Sequence, residues 1–482
     1  MLEYAYRLRP KVEIQREQSH IIAVSHNPLL AMRLNEGAAR VLETCQDWQT
    51  AEKLAQRLRM NQTQLEKLLA NLAARQLLER QPLASATQDW PTVSIIVPVR
   101  NRPHEIVACV RSLQKLDYPA MKLEIIVVDD ASTDDTAQVV KNLPISRAIC
   151  RPMWSGPAAC RNAGAAIATG EILAYTDSDC EVEPGWLRDL VLHFADKQIG
   201  IVGGLVTSFS LETSIERYES VASSLYMGQD ERDCRPNTAI PFLPTANLLI
   251  RRELWHGLGG FDPDFPIGED VDLVWRAHQA GKRVLYLPRG GVRHKYRSHL
   301  VKFARRKAFY GGSETFLLRK HPLQRKILFI PRQRLPFVTL LLAAAVSKKI
   351  RLVAVAASVP LIESGFNMRR LQKFGARIGW GLVFKTVLRN YDAMFFHLCG
   401  NLARYYGLGL LGLGLLYRPI LALALFCFAY PALHVYLKRK PPLSLPVFVA
   451  LYWLELVAHQ IGMLGRCLEC RTLKPFIPTL RV

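Results

Sequence analysis

Apolar positions along the first 85 residues change their period near Glu36. Before it, Val12, Ile14, Ile21, Ala23, Leu30, Met32 and Leu34 alternate with polar neighbours, the two-residue repeat of half-buried strands. Asn27-Pro28 supplies a turn signal between two of these segments. After it, Ala38, Val41 and Leu42 mark one helix face. Leu54, Ala55 and Leu58 mark a second, and Leu65, Leu68, Leu69 and Leu72 a third, with Asn61 placed to cap the last helix. Strands followed by three short helices predict a small, winged-helix-like α+β domain over residues 1–85. A polar linker, residues 86–92, ends at Pro91. Continuous apolar runs then predict buried strands at Val93–Pro98, Leu123–Val128 and Glu171–Thr176. Ile106–Val110 with Leu113 reads as the helix behind the first strand. This alternation predicts an α/β domain with a mostly parallel sheet over residues 93–300.

Beyond residue 300 the pattern becomes apolar and helical. Pro419–Leu437 and Leu445–Leu464 approach the roughly 20 residues that cross a bilayer. Leu335–Val346, Leu352–Ile362 and Tyr405–Tyr417 are shorter. Charge sharpens this picture. The 482 residues carry a net charge of +22, but residues 301–482 hold 28 Lys and Arg against 5 Asp and Glu. The first 300 residues are therefore close to neutral. Basic residues around apolar runs predict attachment to an anionic membrane surface or bilayer, and argue against nucleic acid as the partner. Glu455 and His459 inside the last run favour the competing possibility, a helical bundle buried against itself. Half of the residues are hydrophobic, which excludes a disordered chain. Ten irregularly spaced cysteines read as reduced thiols, and Met1–Pro10 has no apolar run behind it, so no signal peptide is expected.

Candidate chemistry gathers at predicted strand ends, where open α/β sheets bind ligands. Asp129-Asp130 closes the second strand and Asp177-Ser178-Asp179 the third. Two carboxylates at i and i+2 suit a hard divalent cation. Ser155–Gly164 opens a helix with small residues and carries Arg161, which can offset diphosphate charge. Gly268-Glu269-Asp270 precedes an amphipathic helix and offers a general base, although helix starts carry carboxylates for the macrodipole as well.

Taken together, Pro98-x-Arg100-Asn101, Asp129-Asp130-Ala131-Ser132-x-Asp134, Arg161-Asn162-x-Gly164, Asp177-x-Asp179, Thr245-Ala246-Asn247 and Gly268-Glu269-Asp270 resemble the family 2 inverting glycosyltransferases of GT-A fold. The resemblance covers about residues 93–300. It implies a UDP-sugar donor held by Pro98, Arg100, Asp129, Asp130, Arg161 and Asp177, with Asp129 and Asp130 at the nucleoside. It also implies Mg²⁺ or Mn²⁺ at Asp177 and Asp179, His294 as a further metal ligand, and Asp270 as the catalytic base with Glu269 beside it. Trp275-Arg276 lacks the Q-x-x-R-W pattern of processive polysaccharide synthases. Residues 1–85, ending in Leu77-Leu78-Glu79, resemble PqqD-type modules that bind precursor peptides. The three parts together are similar to the mycofactocin-system glycosyltransferases. That resemblance implies transfer of glucose from UDP-glucose to a peptide-derived acceptor at the cytoplasmic face of the cell membrane, giving a β-linked oligoglucoside. The alternative is a family 2 enzyme acting on a lipid or cell-surface glycan acceptor; a purely cytoplasmic location is the alternative to the membrane.

Overall fold

The structure is a computed structural model that describes residues 4–17, 20–26, 29–83, 89–235, 241–324 and 327–481. The turn expected at Asn27-Pro28 and residues 86–88 of the linker lie outside them. The chain divides into two compact units, residues 1–88 with 329–396 and 481–482, and residues 89–328 with 397–480.

In the first unit, β1 (Tyr4–Leu8) precedes a meander of β2 (Val12–Glu17), β3 (His20–His26) and β4 (Leu29–Leu34). Helix α1 (Glu36–Thr44), the short β5 (Gln49–Thr50), α2 (Ala51–Leu58), α3 (Gln62–Ala74) and β6 (Leu78–Pro82) follow. Each helix starts at a polar cap whose side-chain oxygen accepts from a backbone N–H three residues on: Asn35 from Ala38, Thr50 from Lys53, Asn61 from Gln64. β1 is paired antiparallel with both β5 and β6. Val41, Leu42, Leu54, Leu65 and Leu69 close the core beneath.

The second unit is built on an eight-stranded sheet. Along the chain come β7 (Val93–Val99), α4 (Pro103–Leu113), β8 (Leu123–Asp129), α5 (Thr136–Lys141), β9 (Arg147–Cys150), α6 (Gly156–Ile167) and β10 (Ile172–Tyr175). Then follow β11 (Cys180–Val182), α7 (Trp186–Val191), β12 (Ile199–Gly203), β13 (Val206–Ser208), α8 (Ser214–Ala222), β14 (Arg232–Asp233) and β15 (Leu248–Arg251). The last members are α9 (Arg252–Leu258), α10 (Glu269–Gln279), β16 (Arg283–Tyr286), β17 (Val292–His294) and α11 (Leu300–Lys320). The sheet order is β14-β16-β12-β15-β10-β7-β8-β9. β10, β7, β8 and β9 are mutually parallel, whereas β15 runs antiparallel between β10 and β12. β7 is buried on both faces, Ile95 and Val97 toward one apolar layer and Ile96 toward the other, which is why its sequence reads as a continuous run. Its register against β8 sets Val99 opposite Asp129, so that both strands release their next residues at one sheet edge. A separate small sheet, β11-β17-β13, pairs Cys180 with His294.

Among the described residues beyond α11 the α-helices are α12 (Leu335–Ser347), α13 (Ile350–Lys373), α14 (Trp380–Leu416), α15 (Arg418–Arg439) and α16 (Leu445–Glu469). In the first unit, Leu371, Phe374 and Ala376 at the end of α13 cover the outer face of β3, where Ile22 and Val24 are fully buried. Gln15 and the backbone of Arg377 exchange two hydrogen bonds at 2.8 Å in the same place. β3 is thus covered on both sides, and only half of that is visible in its alternation.

In the second unit α16 lies along α11. Gly311 and Gly462 meet at the crossing, where a Cβ on either would collide with the backbone of His459 or Ala308. Alongside, Lys307 is buried between Glu219 at 2.7 Å and Glu455 at 3.2 Å, and the Tyr218 hydroxyl donates to Glu455 at 2.8 Å. Among the described residues, three helices, α13, α15 and α16, are long and apolar enough to cross a membrane by length and composition. The run at Leu352–Ile362 is part of the 24-residue α13 and not a shorter element.

The two α16 glycines Gly462 and Gly465 predict opposite responses. Gly462→Ala forces backbone apart and should lower stability by roughly 1–3 kcal/mol. Gly465 has nothing within 4 Å of a Cβ position, so Gly465→Ala should hold or raise the thermal midpoint through helix propensity. Thermal unfolding of the two variants beside wild type checks the difference.

Candidate active site

The parallel strands end where three acidic clusters meet. Arg161, on α6 and buried, reaches two of them: Nη2 donates to Asp177 Oδ1 at 2.6 Å and Nη1 to Glu269 Oε1 at 2.8 Å. Its guanidinium also lies over the Phe261 ring, 5.8 Å from the centroid. Asn162 holds the same loop, with its amide donating to Phe261 O at 2.7 Å and accepting from Phe261 N–H at 2.9 Å. The Arg-Asn pair therefore ties α6 to the strand-end carboxylates and to the segment before α10. Arg161 faces protein carboxylates, not open solvent.

Asp129 and Asp130 are buried and already have protein donors. Asp129 accepts from the backbone N–H and hydroxyl of Ser132. Asp130 accepts from Ser155 N–H and hydroxyl at 2.8 Å and from Gly156 N–H at 2.9 Å, so it caps α6. Near them Arg100 is exposed, and its guanidinium lies 5.5 Å from the centroid of Trp154, itself 64% exposed. Pro98 stays within β7, paired with Val128. In the Thr245-Ala246-Asn247 segment, Asn247 is fully buried; it accepts from the Trp186 indole at 2.7 Å and donates to Gly290 O at 2.8 Å. That segment braces the fold.

Asp179 and His294 come together because β11 pairs with β17. His294 Nε2 lies 3.6 Å from Asp179 Oδ1, while Arg102 at 2.7 Å and Arg297 at 3.7 Å face Oδ2. Burial, the largest influence, pushes the Asp179 carboxyl up; His294, Arg102 and Arg297 together outweigh it and hold the group below its ordinary value. Asp179, Cys180 and His294 each offer a ligand atom within 4.8 Å of the others. Burial raises the Cys180 thiol well above its usual range, so a hard cation there would take oxygen and imidazole. His294 Nδ1 is buried without a hydrogen-bond partner. The donor set fits a divalent cation at Asp179 and His294, with Asp177 across the site on Arg161.

Asp270, in the first turn of α10, accepts from Val271 N–H at 2.8 Å. Burial first, and the neighbouring Glu269 charge second, raise its carboxyl to about 7. A group with that pKa can exchange protons near neutrality. Sequence reasoning missed the basic wall opposite. Arg102, Arg297, Lys302, Arg305 and Arg306 line a cavity of about 490 Å³ with Asp179 at its edge. The Lys/Arg spacing at the start of α11 was the available signal, but it reads equally as a solvated helix face.

Against known families, residues 94–258 match the model described as Glycosyl transferase family 2, and that segment is a domain of this family. Among individual proteins, the pre-mycofactocin glycosyltransferase of Mycobacterium tuberculosis is 36% identical over 236 residues, 48% of this chain and 48% of that protein. Glycosyltransferase AglE of Haloferax volcanii is 31% identical over 201 residues, 40% of this chain and 64% of its own length. The chain thus spans about half the length of the Mycobacterium relative and less than two thirds of the Haloferax one. A mannosyltransferase from Pyrobaculum calidifontis, solved with GDP-Man and Mn²⁺, aligns over 78% of this chain and 91% of its own at 17% identity and a TM-score of 0.44.

Removing the Arg161 guanidinium leaves Asp177 and Glu269 facing each other without a counter-charge. Arg161→Met should cost about 3–5 kcal/mol at neutral pH, as for other broken buried pairs. Thermal midpoints of variant and wild type at pH 7.5 measure it.

Proposed function

We propose that this chain is a metal-dependent inverting glycosyltransferase moving glucose from UDP-glucose to a peptide-derived acceptor, premycofactocin or mycofactocin. The observation that carries the reading is the Arg161 bridge, which joins Asp177, inside the matched family 2 segment, to Glu269-Asp270 just beyond it. The acceptor is inferred from the Mycobacterium relative.

In this reading Asp179, His294 and Asp177 would hold Mg²⁺ or Mn²⁺. A bound divalent cation offsets the negative charge that grows on the leaving nucleoside diphosphate. Arg297, Arg305 and Arg306 add fixed positive charge at the same cavity. Arg100 and Trp154 offer a flat, cationic surface for the nucleoside, with Asp129 and Asp130 shaping the loops beneath it. The Asp270 carboxylate takes the proton from the acceptor hydroxyl as that oxygen attacks the anomeric carbon. The bond to the diphosphate oxygen breaks on the opposite face, through an oxocarbenium-like transition state, and the configuration inverts. Arg161 pairs with Glu269, and burial first and the Glu269 charge second hold the Asp270 pKa up. The first unit would recognise the peptide-derived partner. The basic, apolar helices would attach the protein to the membrane with the site on the cytoplasmic side.

Two measurements test the mechanism. Asp270→Asn should lower the transfer rate about 10²–10⁴-fold while UDP binding survives. Wild-type activity should rise with pH through about 7, where Asp270 loses its proton. The folded state favours the protonated form, so this group's contribution to stability falls as pH climbs from the ordinary carboxyl range through 7. Asp270→Asn should accordingly be the more heat-stable protein at pH 8. Loss of UDP affinity with an unchanged maximal rate would make Asp270 a donor-binding residue instead.

The metal reading is tested by titrating Mn²⁺ into the EDTA-treated protein with calorimetric detection. Wild type should bind in the presence of UDP, and Asp179→Asn should bind more weakly by at least an order of magnitude, since a ligand charge is lost. Equal Mn²⁺ affinity in the two proteins would remove Asp179 from the metal site.

A further inference from the structure

A second hollow, of about 240 Å³, lies between α11 and α16 next to the basic cavity, and Arg305 and Phe309 line both. Its walls are apolar: Pro266, Ile267, Phe309, Phe316 and Ile461. Pro266 and Ile267 belong to the loop that runs directly into Glu269-Asp270. At the far end Arg466 pairs with Glu469 and lies over Phe316, 5.0 Å from the ring centroid, which closes the hollow with charge. α16 carries two glycines about one turn apart that differ in use. Gly462 is pressed against the Ala308 backbone, whereas a Cβ at Gly465 would meet no atom within 4 Å although Gly465 lines the hollow. Packing therefore does not require glycine at 465. What its missing side chain does is leave the groove open.

We propose that this groove is the acceptor subsite and takes a compact, apolar, ring-bearing part of the acceptor while the reacting hydroxyl points toward Asp270. The inference rests on the transferase reading above and deepens it. A ring fits because the hollow is small, about 240 Å³, and is lined by the phenyl side chains of Phe309 and Phe316, which suit flat groups more than a long chain. Arg305 and Phe309 line both cavities, so one molecule could touch the apolar walls and the basic cavity that Asp179 also lines. α16, one of the three helices apolar enough to cross a membrane, would then be part of the substrate site.

The test uses full-length protein with Mn²⁺ and UDP, and compares phenyl β-glucoside with methyl β-glucoside by ligand-observed NMR. Wild type should bind the phenyl probe about tenfold more tightly, the scale expected from burying part of a ring. Gly465→Trp, which fills the groove, should abolish that preference, and Gly465→Ala should keep it. A thermal shift on adding UDP reports that each variant is folded. Should Gly465→Trp fail to fold, Ile461→Asp, at a position 58% exposed, carries the same test. Equal affinity of wild type for the two probes, or a preference that survives a filled groove, would overturn the assignment. Loss of binding to phosphatidylglycerol vesicles in Ile461→Asp, with the phenyl preference intact, would give the groove to lipid and overturn it as well. Wild type that keeps the preference but neither hydrolyses nor transfers from UDP-glucose would sink the transferase reading alone.

Discussion

Arg161 sits where the strand ends, the start of α10 and the Phe261 loop converge, and its charge is almost wholly enclosed by protein. A buried guanidinium is costly unless carboxylates answer it, and a buried carboxylate is costly unless a cation answers it. Asp177 and Glu269 are 92 residues apart in the chain and are held together by this mutual need. The consequence reaches past the pair. With Glu269 fixed in place, burial and that neighbouring charge together raise the Asp270 carboxyl to the range in which proton transfer near neutral pH is practical. One ion bridge thus places two clusters and sets the chemistry of a third residue.

The apolar C-terminal helices obey a related constraint. α16 has the length and composition of a membrane span, yet Glu455 on it faces buried Lys307 and the Tyr218 hydroxyl. An unpaired carboxylate in hydrocarbon would be expensive, and this one is satisfied by protein groups. The glycine crossing at Gly311 and Gly462 allows the backbones to approach closely enough for that contact. Hydropathy measures only the mean character of α16 and is blind to these partners.

Parts of this were legible in the residues. The continuous runs at Val93–Pro98, Leu123–Val128 and Glu171–Thr176 mark central strands, because burial on both faces leaves no polar positions. The helices after Glu36 were legible from their leucine spacing and from Asn61 as a cap. Other features had no local signature. Ile22 and Val24 are buried by a segment some 350 residues later, and β15 enters the sheet against the direction of its neighbours. Arg102 and Arg297 face Asp179 from different segments, and nothing in their immediate neighbours announces it.

The sequence by itself determined which residues could do chemistry here: carboxylates at strand ends, a helix opened by small residues at Ser155–Gly164, an Arg-Asn pair, and the concentration of basic and apolar residues after residue 300. Local periodicity and charge type are properties of neighbouring residues, and so they can be read along the chain. Tertiary structure alone decided what each group faces. It turned Arg161 onto two carboxylates, spent Asp130 on the α6 N-terminus, paired Cys180 with His294 so that the imidazole meets Asp179, and set Gly465 beside a hollow while Gly462 was packed shut. Burial and charge pairing depend on atoms brought together from distant segments, and only the folded chain specifies them.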